Sequence, residues 1–238
     1  NEIVEVYKEE PIFEGQFSNE SYKDRVFEAI EDFNNQNNRN ILTDWENIIF
    51  HLPYAFHGRR MIINKWLDWM NENEIIKDVY SEIGEPKSID DVDWVKKVSK
   101  SNLYRKFIED KIAPGEKASS EIGNMYTASI FMALISSLVD AVENDKHFED
   151  KKIGFISYGS GSKAKIFEGT VQKNWIEKIN SIKLYDSLSK RKKISIDVYE
   201  NLHKRRVTSN INNNDGIIKL NKISDGEFTE GLRNYLKY

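Results

Sequence analysis

Apolar residues recur at Tyr22, Val26, Phe27, Ile30 and Phe33. That spacing predicts a helix over 22–33, with Ser18, Asn19 or Ser21 available as its N-cap. The polar tract 34–40 reads as a loop. Asn47–Phe50 is short, apolar and flanked by polar residues, which predicts a buried strand. Pro53 opens a new element, and Ile62, Trp66, Leu67 and Met70 continue it as an amphipathic helix. A loop over 84–93 precedes a helical stretch, 94–111, which Pro114-Gly115 is expected to break. The stretch 124–142 is apolar almost all round and carries Ala128, Ser129, Ala133, Ser136 and Ser137. Those small residues predict a central helix that neighbours approach closely.

Further along, 153–158 reads as a strand, Gly159-Ser160-Gly161-Ser162 as a tight turn, and 164–171 as the antiparallel return. Helices follow over 176–188 and 196–205, then a polar loop over 210–216. The tail segments 217–223 and 232–238 read as edge strands. Buried strands mixed with helices predict an α/β or α+β fold.

The chain has 238 residues, 39% hydrophobic and 31% charged, enough for a substantial core. A net charge of -4 gives no sign of a nucleic-acid surface. No apolar run reaches the roughly 20 residues of a membrane span. There is no cysteine, hence no disulfide framework, and no visible secretory signal. The expected location is cytoplasmic. The chain begins Asn1-Glu2-Ile3-Val4 without methionine. Together with the absence of a thiol, this favours a missing N-terminal portion.

Chemistry concentrates in a few places. His51 directly follows the predicted strand, and strand ends are where α/β proteins present ligands and catalytic groups. Histidine suits proton transfer near neutral pH. The other reading is a core-edge histidine satisfied by hydrogen bonds. Asn124 follows Gly123 at the mouth of the apolar helix, placed either to bind a carbonyl or imidazole or to serve as an ordinary N-cap. Gly159 and Gly161 would let backbone approach a substrate that Ser160 contacts, or they simply make a hairpin turn. Arg59 and Arg60 follow His51 on the next helix, as phosphate contacts or as solvated charges. Lys190-Arg191-Lys192-Lys193 reads as a solvated loop. His57, His147 and His203 lack metal-ligand spacing, and no metal site is expected.

Taken together, Phe50-His51-Leu52-Pro53-Tyr54 resembles the F-H-x-P-[FY] segment of hydroxymethylglutaryl-CoA synthases. Gly123-Asn124-Met125-Tyr126-Thr127-Ala128-Ser129 resembles that family's G-N-x-Y-T-[AS]-S segment. Phe155-Ile156-Ser157-Tyr158-Gly159-Ser160-Gly161 resembles its F-S-Y-G-S-G segment. Pro11 to Ser18 with Tyr22 is similar to its P-x-x-D-G-x-x-S-x-x-x-Y, and Leu188 to Lys192 to its L-x-x-R. The likeness covers nearly the whole chain but only the C-terminal half of a family member.

The resemblance implies a thiolase-like α/β fold, with 1–238 as a single C-terminal domain of the layered αβαβα architecture, carrying helical insertions. It implies an acyltransferase that condenses acetyl-CoA with acetoacetyl-CoA in the mevalonate route to isoprenoids. The cysteine and a carbanion-promoting glutamate would lie in an N-terminal half, so this half alone is expected to be inactive. It assigns catalysis to His51 and Asn124, and substrate contact to Ser160, Tyr158 and Gly159. It assigns CoA contact to Arg60, Arg59 and Ser18. No cofactor is implied beyond coenzyme A thioester substrates. The implied partners are the thiol-bearing half, a second copy in a homodimer, and acyl-CoA or an acyl-carrier protein. One departure is visible: the family has a basic pair five and nine positions after the histidine, and here these are Phe56 and Arg60. A carrier-protein-dependent polyketide branching enzyme therefore stands as an alternative, as does a non-catalytic partner subunit.

Overall fold

A computed structural model describes residues 14–88, 91–159, 161–206 and 218–237. They fall into two compact units, 1–190 and 191–238. In the first, α1 (Gly15–Asn37), α2 (Ile41–Asp44), β1 (Asn47–Phe50), α3 (His57–Met61) and α4 (Ile63–Glu72) come in succession. Next are α5 (Ile76–Ile83), α6 (Val92–Val98), α7 (Asn102–Lys111), α8 (Ala113–Ile122) and α9 (Ala128–Glu143). The unit closes with β2 (Lys152–Gly159), β3 (Lys163–Thr170), α10 (Trp175–Ile182) and α11 (Leu184–Ser189). The second unit holds α12 (Ile196–His203) and the antiparallel pair β4 (Ile218–Ile223) and β5 (Arg233–Lys237).

The three-stranded sheet has the order β1-β2-β3. β1 pairs parallel with β2, Asn47 opposite Ile153 and Phe50 opposite Ile156. Every residue of β1 is buried, as expected of a strand in parallel pairing covered by helices. β3 returns antiparallel along β2, and Phe155 stacks on Phe167 across that pair.

Several boundaries differ from the sequence reading. α1 continues through Asn37 because Asn38 adopts a left-handed C-cap at φ 49°. Pro114 does not break a helix; it sits in the first turn of α8, where its missing N–H costs nothing. The helical stretch 94–111 is two helices, α7 restarting behind a Ser101 N-cap. β4 and β5 pair with each other in a sheet of their own instead of extending the first sheet. The predicted loop 210–216 lies outside the described residues.

The small residues of α9 do the packing expected of them. Ser136 Oγ donates to Pro114 O at 2.6 Å and accepts from Ala118 N–H at 3.2 Å. Ser137 Oγ donates to Asn47 Oδ1, whose amide Nδ2 donates to Asp110 O at 3.0 Å. α8, α9, α7 and β1 are thereby bonded through fully buried polar groups, each satisfied.

Gly154 is the tightest point of the sheet. A Cβ there would lie 1.7 Å from the ring of Trp45. Trp45 is itself fully buried and anchored, its indole Nε1–H donating to Glu168 at 2.8 Å. The ring has no room to retreat. Gly154→Ala is expected to destabilise the protein by about 3 kcal/mol. Urea unfolding checks this, and a loss under about 1 kcal/mol would contradict the packing described.

Candidate functional site

β1 ends at Phe50, and His51 emerges from its C-terminal end. The His51 N–H still donates to Ile156 O at 2.8 Å, so the ladder holds this residue's backbone. The Tyr22 hydroxyl, from α1, donates to the His51 carbonyl at 2.6 Å. Burial pushes the Tyr22 phenol well above its ordinary value, which keeps it a protonated donor. At the first turn of α9, Ser129 Oγ accepts from Leu52 N–H at 3.0 Å and lies 3.0 Å from His51 Nδ1. Behind these groups, Tyr22 stacks on Tyr158 of β2, centroids 4.3 Å apart and rings 14° from parallel.

Two segments distant in sequence thus meet His51, through Tyr22 and Ser129, and Tyr158 backs Tyr22. His51 is half-buried, and burial lowers its pKa, favouring the neutral ring. In the sequence His51 and Tyr158 stand out as candidates, whereas Ser129 reads only as a small packing residue. Its place at the end of the Gly123–Ser129 segment was the available signal.

The remaining residues of interest divide. Gly159 is exposed at the end of β2, with open space where a side chain would project. Ser18 lies one turn before Tyr22 on α1, half-buried. Ser160 lies outside the described residues. Asn124 is exposed and precedes α9 instead of opening it: the helix starts at Ala128. Its Oδ1 accepts from Tyr126 N–H at 2.8 Å, so the carboxamide caps a local turn and makes no hydrogen bond to His51.

Arg59 departs from the phosphate-binding expectation. Its Nε donates to both carboxylate oxygens of Glu116, at 2.8 and 3.2 Å. Glu116 is only 2% exposed, and burial raises its pKa against the pull of Arg59. The Arg59 guanidinium also sits 4.8 Å from the Phe56 ring, and its carbonyl accepts from the Tyr104 hydroxyl. A buried carboxylate needs that partner, so this cation is committed to the fold. Arg60 is exposed, makes no ion pair among the described residues, and lies 5.7 Å from the Tyr54 ring. It borders a groove of about 600 Å³ that Lys96 and Arg105 also line. A larger groove of about 820 Å³ lies along α1, α4 and α6 and contains none of the residues around His51.

His57, given no role by sequence, is buried against the same cluster. It stacks on Tyr22 at 4.6 Å and meets Tyr54 edge-on at 4.6 Å. α3 can lie there because Gly58 presses on Phe50, where a Cβ would come within 2.6 Å of the ring. Several apolar side chains around the site face solvent: Tyr54 and Phe56 beside His51, and Tyr126 and Phe131 either side of Ser129. Among the described residues no helix is long and apolar enough to cross a membrane.

Residues 5–228 match the profile of the hydroxymethylglutaryl-coenzyme A synthase C terminal family. The hydroxymethylglutaryl-CoA synthase of Haloferax volcanii is 30% identical over 204 residues, covering 81% of this chain and 46% of the relative. That of Enterococcus faecalis is 27% identical over 194 residues, covering 80% and 40%. The chain therefore spans less than half the length of these curated relatives. Among solved structures, MvaS in complex with 3-hydroxy-3-methylglutaryl coenzyme A superposes with a TM-score of 0.70 at 21% identity, over 98% of this chain and 53% of that one. The curacin-pathway HMG synthase with holo donor-ACP gives 0.67 at 18%, over 94% and 50%. These likenesses establish the thiolase-like α/β fold expected from the sequence. The chain belongs to the hydroxymethylglutaryl-CoA synthase family and corresponds to that family's C-terminal region.

Proposed function

We propose that this chain supplies the histidine-bearing half of a condensing acyltransferase that joins acetyl-CoA to acetoacetyl-CoA. One observation carries the reading: a half-buried, neutral imidazole at a strand end, its ring bonded by Ser129 of α9 and its backbone carbonyl by Tyr22 of α1. Fixed donors aimed at developing charge are what a condensation requires. A thiol on a companion half attacks the acetyl-CoA carbonyl and takes the acetyl group, expelling free coenzyme A; the chain has no cysteine of its own for this step. The acetyl methyl then loses a proton to a carboxylate of that half, and its carbon attacks the acceptor ketone. Negative charge develops on the ketone oxygen, where His51 donates a hydrogen bond. Hydrolysis of the thioester to the cysteine releases the product. Asn124, Tyr158, Gly159 and Ser160 border the acyl group in this reading. Arg60 and Ser18 meet the carrier's phosphates and pantetheine arm, whereas Arg59 positions the helix through Glu116. The exposed Tyr54, Phe56, Tyr126 and Phe131 suit burial beneath the thiol-bearing half.

Phe56 in place of a second cation favours one further reading. With Arg59 engaged by Glu116, this helix offers Arg60 to a phosphate. A single phosphodiester, as on a carrier protein's prosthetic arm, demands less positive charge than coenzyme A.

The test combines this chain with its thiol-bearing half and follows loss of acetoacetyl thioester in the presence of an acetyl donor. The purified chain alone is expected to consume none, and the combined halves to consume acetoacetyl-CoA. Turnover only with acetoacetyl carrier protein establishes the second reading. No turnover with either acceptor leaves the chain a non-catalytic partner and overturns the proposal.

A further inference from the structure

The hydroxyl of Ser129 is fully buried, and its hydrogen-bonding capacity can be counted. A serine hydroxyl carries one hydrogen and two acceptor lone pairs. One lone pair takes the Leu52 N–H, at 3.0 Å. The other group in reach among the described residues is His51 Nδ1, at 3.0 Å. If Nδ1 carried a hydrogen, it would fill the second lone pair. The hydroxyl hydrogen would then be buried with no acceptor, which costs more than an ordinary hydrogen bond gains. If Nδ1 is bare, the hydroxyl donates to it and every atom is satisfied.

We infer that Ser129 is a positioning residue that holds His51 as the neutral tautomer protonated on Nε2. The peptide amide of Leu52 enforces this choice, since it occupies the serine oxygen and turns its hydrogen toward the imidazole. Burial of the ring acts in the same direction by disfavouring a second proton. Nε2 has no hydrogen-bond partner among the described residues, so its hydrogen is available to a ligand. The tautomer is a property of this fold alone. Its consequence, a preset donor for the acceptor carbonyl oxygen, rests on the proposed function.

The ladder bond from His51 N–H to Ile156 O and the Tyr22 bond to the His51 carbonyl fix the backbone on which this ring is mounted. Toward the imidazole, Ser129 therefore sets the proton position and the ring's rotation. A residue with that task affects the chemical step and leaves ground-state binding almost alone.

The experiment is nitrogen NMR of the full enzyme labelled in its histidine rings, with His51 assigned by loss of its signals in His51→Gln. Wild type is expected to show a pyridine-type Nδ1 and a pyrrole-type Nε2 at neutral pH. The opposite pattern overturns the inference whether or not the enzyme condenses acetoacetyl thioesters. In Ser129→Ala the two tautomers are expected to mix. kcat is expected to fall by roughly tenfold with KM nearly unchanged, and Ser129→Thr to restore the single tautomer. An unchanged ring spectrum in Ser129→Ala also overturns it. If Ser129→Ala does not fold, the wild-type spectrum decides.

Discussion

In the proposed enzyme of combined halves, His51→Ala is expected to lower condensation by about 10³-fold, the loss that follows removal of a preorganised donor to a developing oxyanion. The loss falls on one step. In the proposed mechanism acetylation of the companion's thiol does not use His51, so acetyl-enzyme formation from a labelled donor is expected to proceed at the wild-type rate and the labelled intermediate to accumulate. Folding is little affected. The ring is half-buried, and its truncation leaves the Leu52 N–H still bonded to Ser129. The backbone bonds to Ile156 and from Tyr22 do not depend on the side chain. A urea midpoint near wild type, intact acetylation and a collapsed condensation rate together place the imidazole on the carbon–carbon bond-forming step. Near-normal condensation in His51→Ala would remove it from the mechanism. Equal loss of both steps would assign it to binding the donor.

How much of this was legible in advance depends on the range of the interaction. The strand at Asn47–Phe50 and the hairpin of β2 and β3 follow from short apolar runs and a glycine turn, which are local signals. His51 was visible because it ends such a run. Ser129 was not, because a small residue on an apolar helix is indistinguishable from packing until the helix is docked. Arg59 and Glu116 are 57 positions apart, and nothing local marks either as the other's partner. An isolated arginine beside a candidate histidine therefore read as a ligand contact. The glutamate inside an otherwise ordinary amphipathic helix carried no signal of burial. Trp45 over Gly154 is the same case: each residue is unremarkable alone, and the contact exists only once β1 lies beside β2. Asn124 shows the converse. Its local sequence reads as a helix entrance, but the chain spends Tyr126 on a positive φ of 50° and starts the helix four residues later. The family resemblance marked segments, and packing decided that Ser129 Oγ is the group of the Gly123–Ser129 segment that meets the imidazole.

His57 is expected to make the protein acid-sensitive. Both of its ring nitrogens are buried and lack hydrogen-bond partners among the described residues. Burial, with His51 and Arg60 nearby, pulls its pKa from 6.5 down to about 4. The folded state therefore takes up this proton much later than the unfolded chain does. Stability is unaffected by this group above pH 6.5 and falls as pH drops from 6.5 to about 4, by which point the loss amounts to roughly 3 kcal/mol. His51, lowered by the same cause, acts in the same direction. Glu116, whose pKa burial raises, opposes both, because the folded state holds its proton more readily. A single wild-type profile mixes these groups, and the comparison with His57→Leu separates them. Leucine keeps an apolar body under Tyr22 and Tyr54 and removes two unpaired polar atoms, while forfeiting the ring stack. At pH 7.5 these effects leave stability within about 1 kcal/mol of wild type. Between pH 6.5 and 4 the wild type is expected to lose roughly 3 kcal/mol more than the variant, read from urea midpoints at each pH. Parallel profiles would mean that His57 finds a proton acceptor in the folded protein. Its coupling to the Tyr22 stack, and through the Tyr22 hydroxyl to the His51 backbone, would then have to be redrawn.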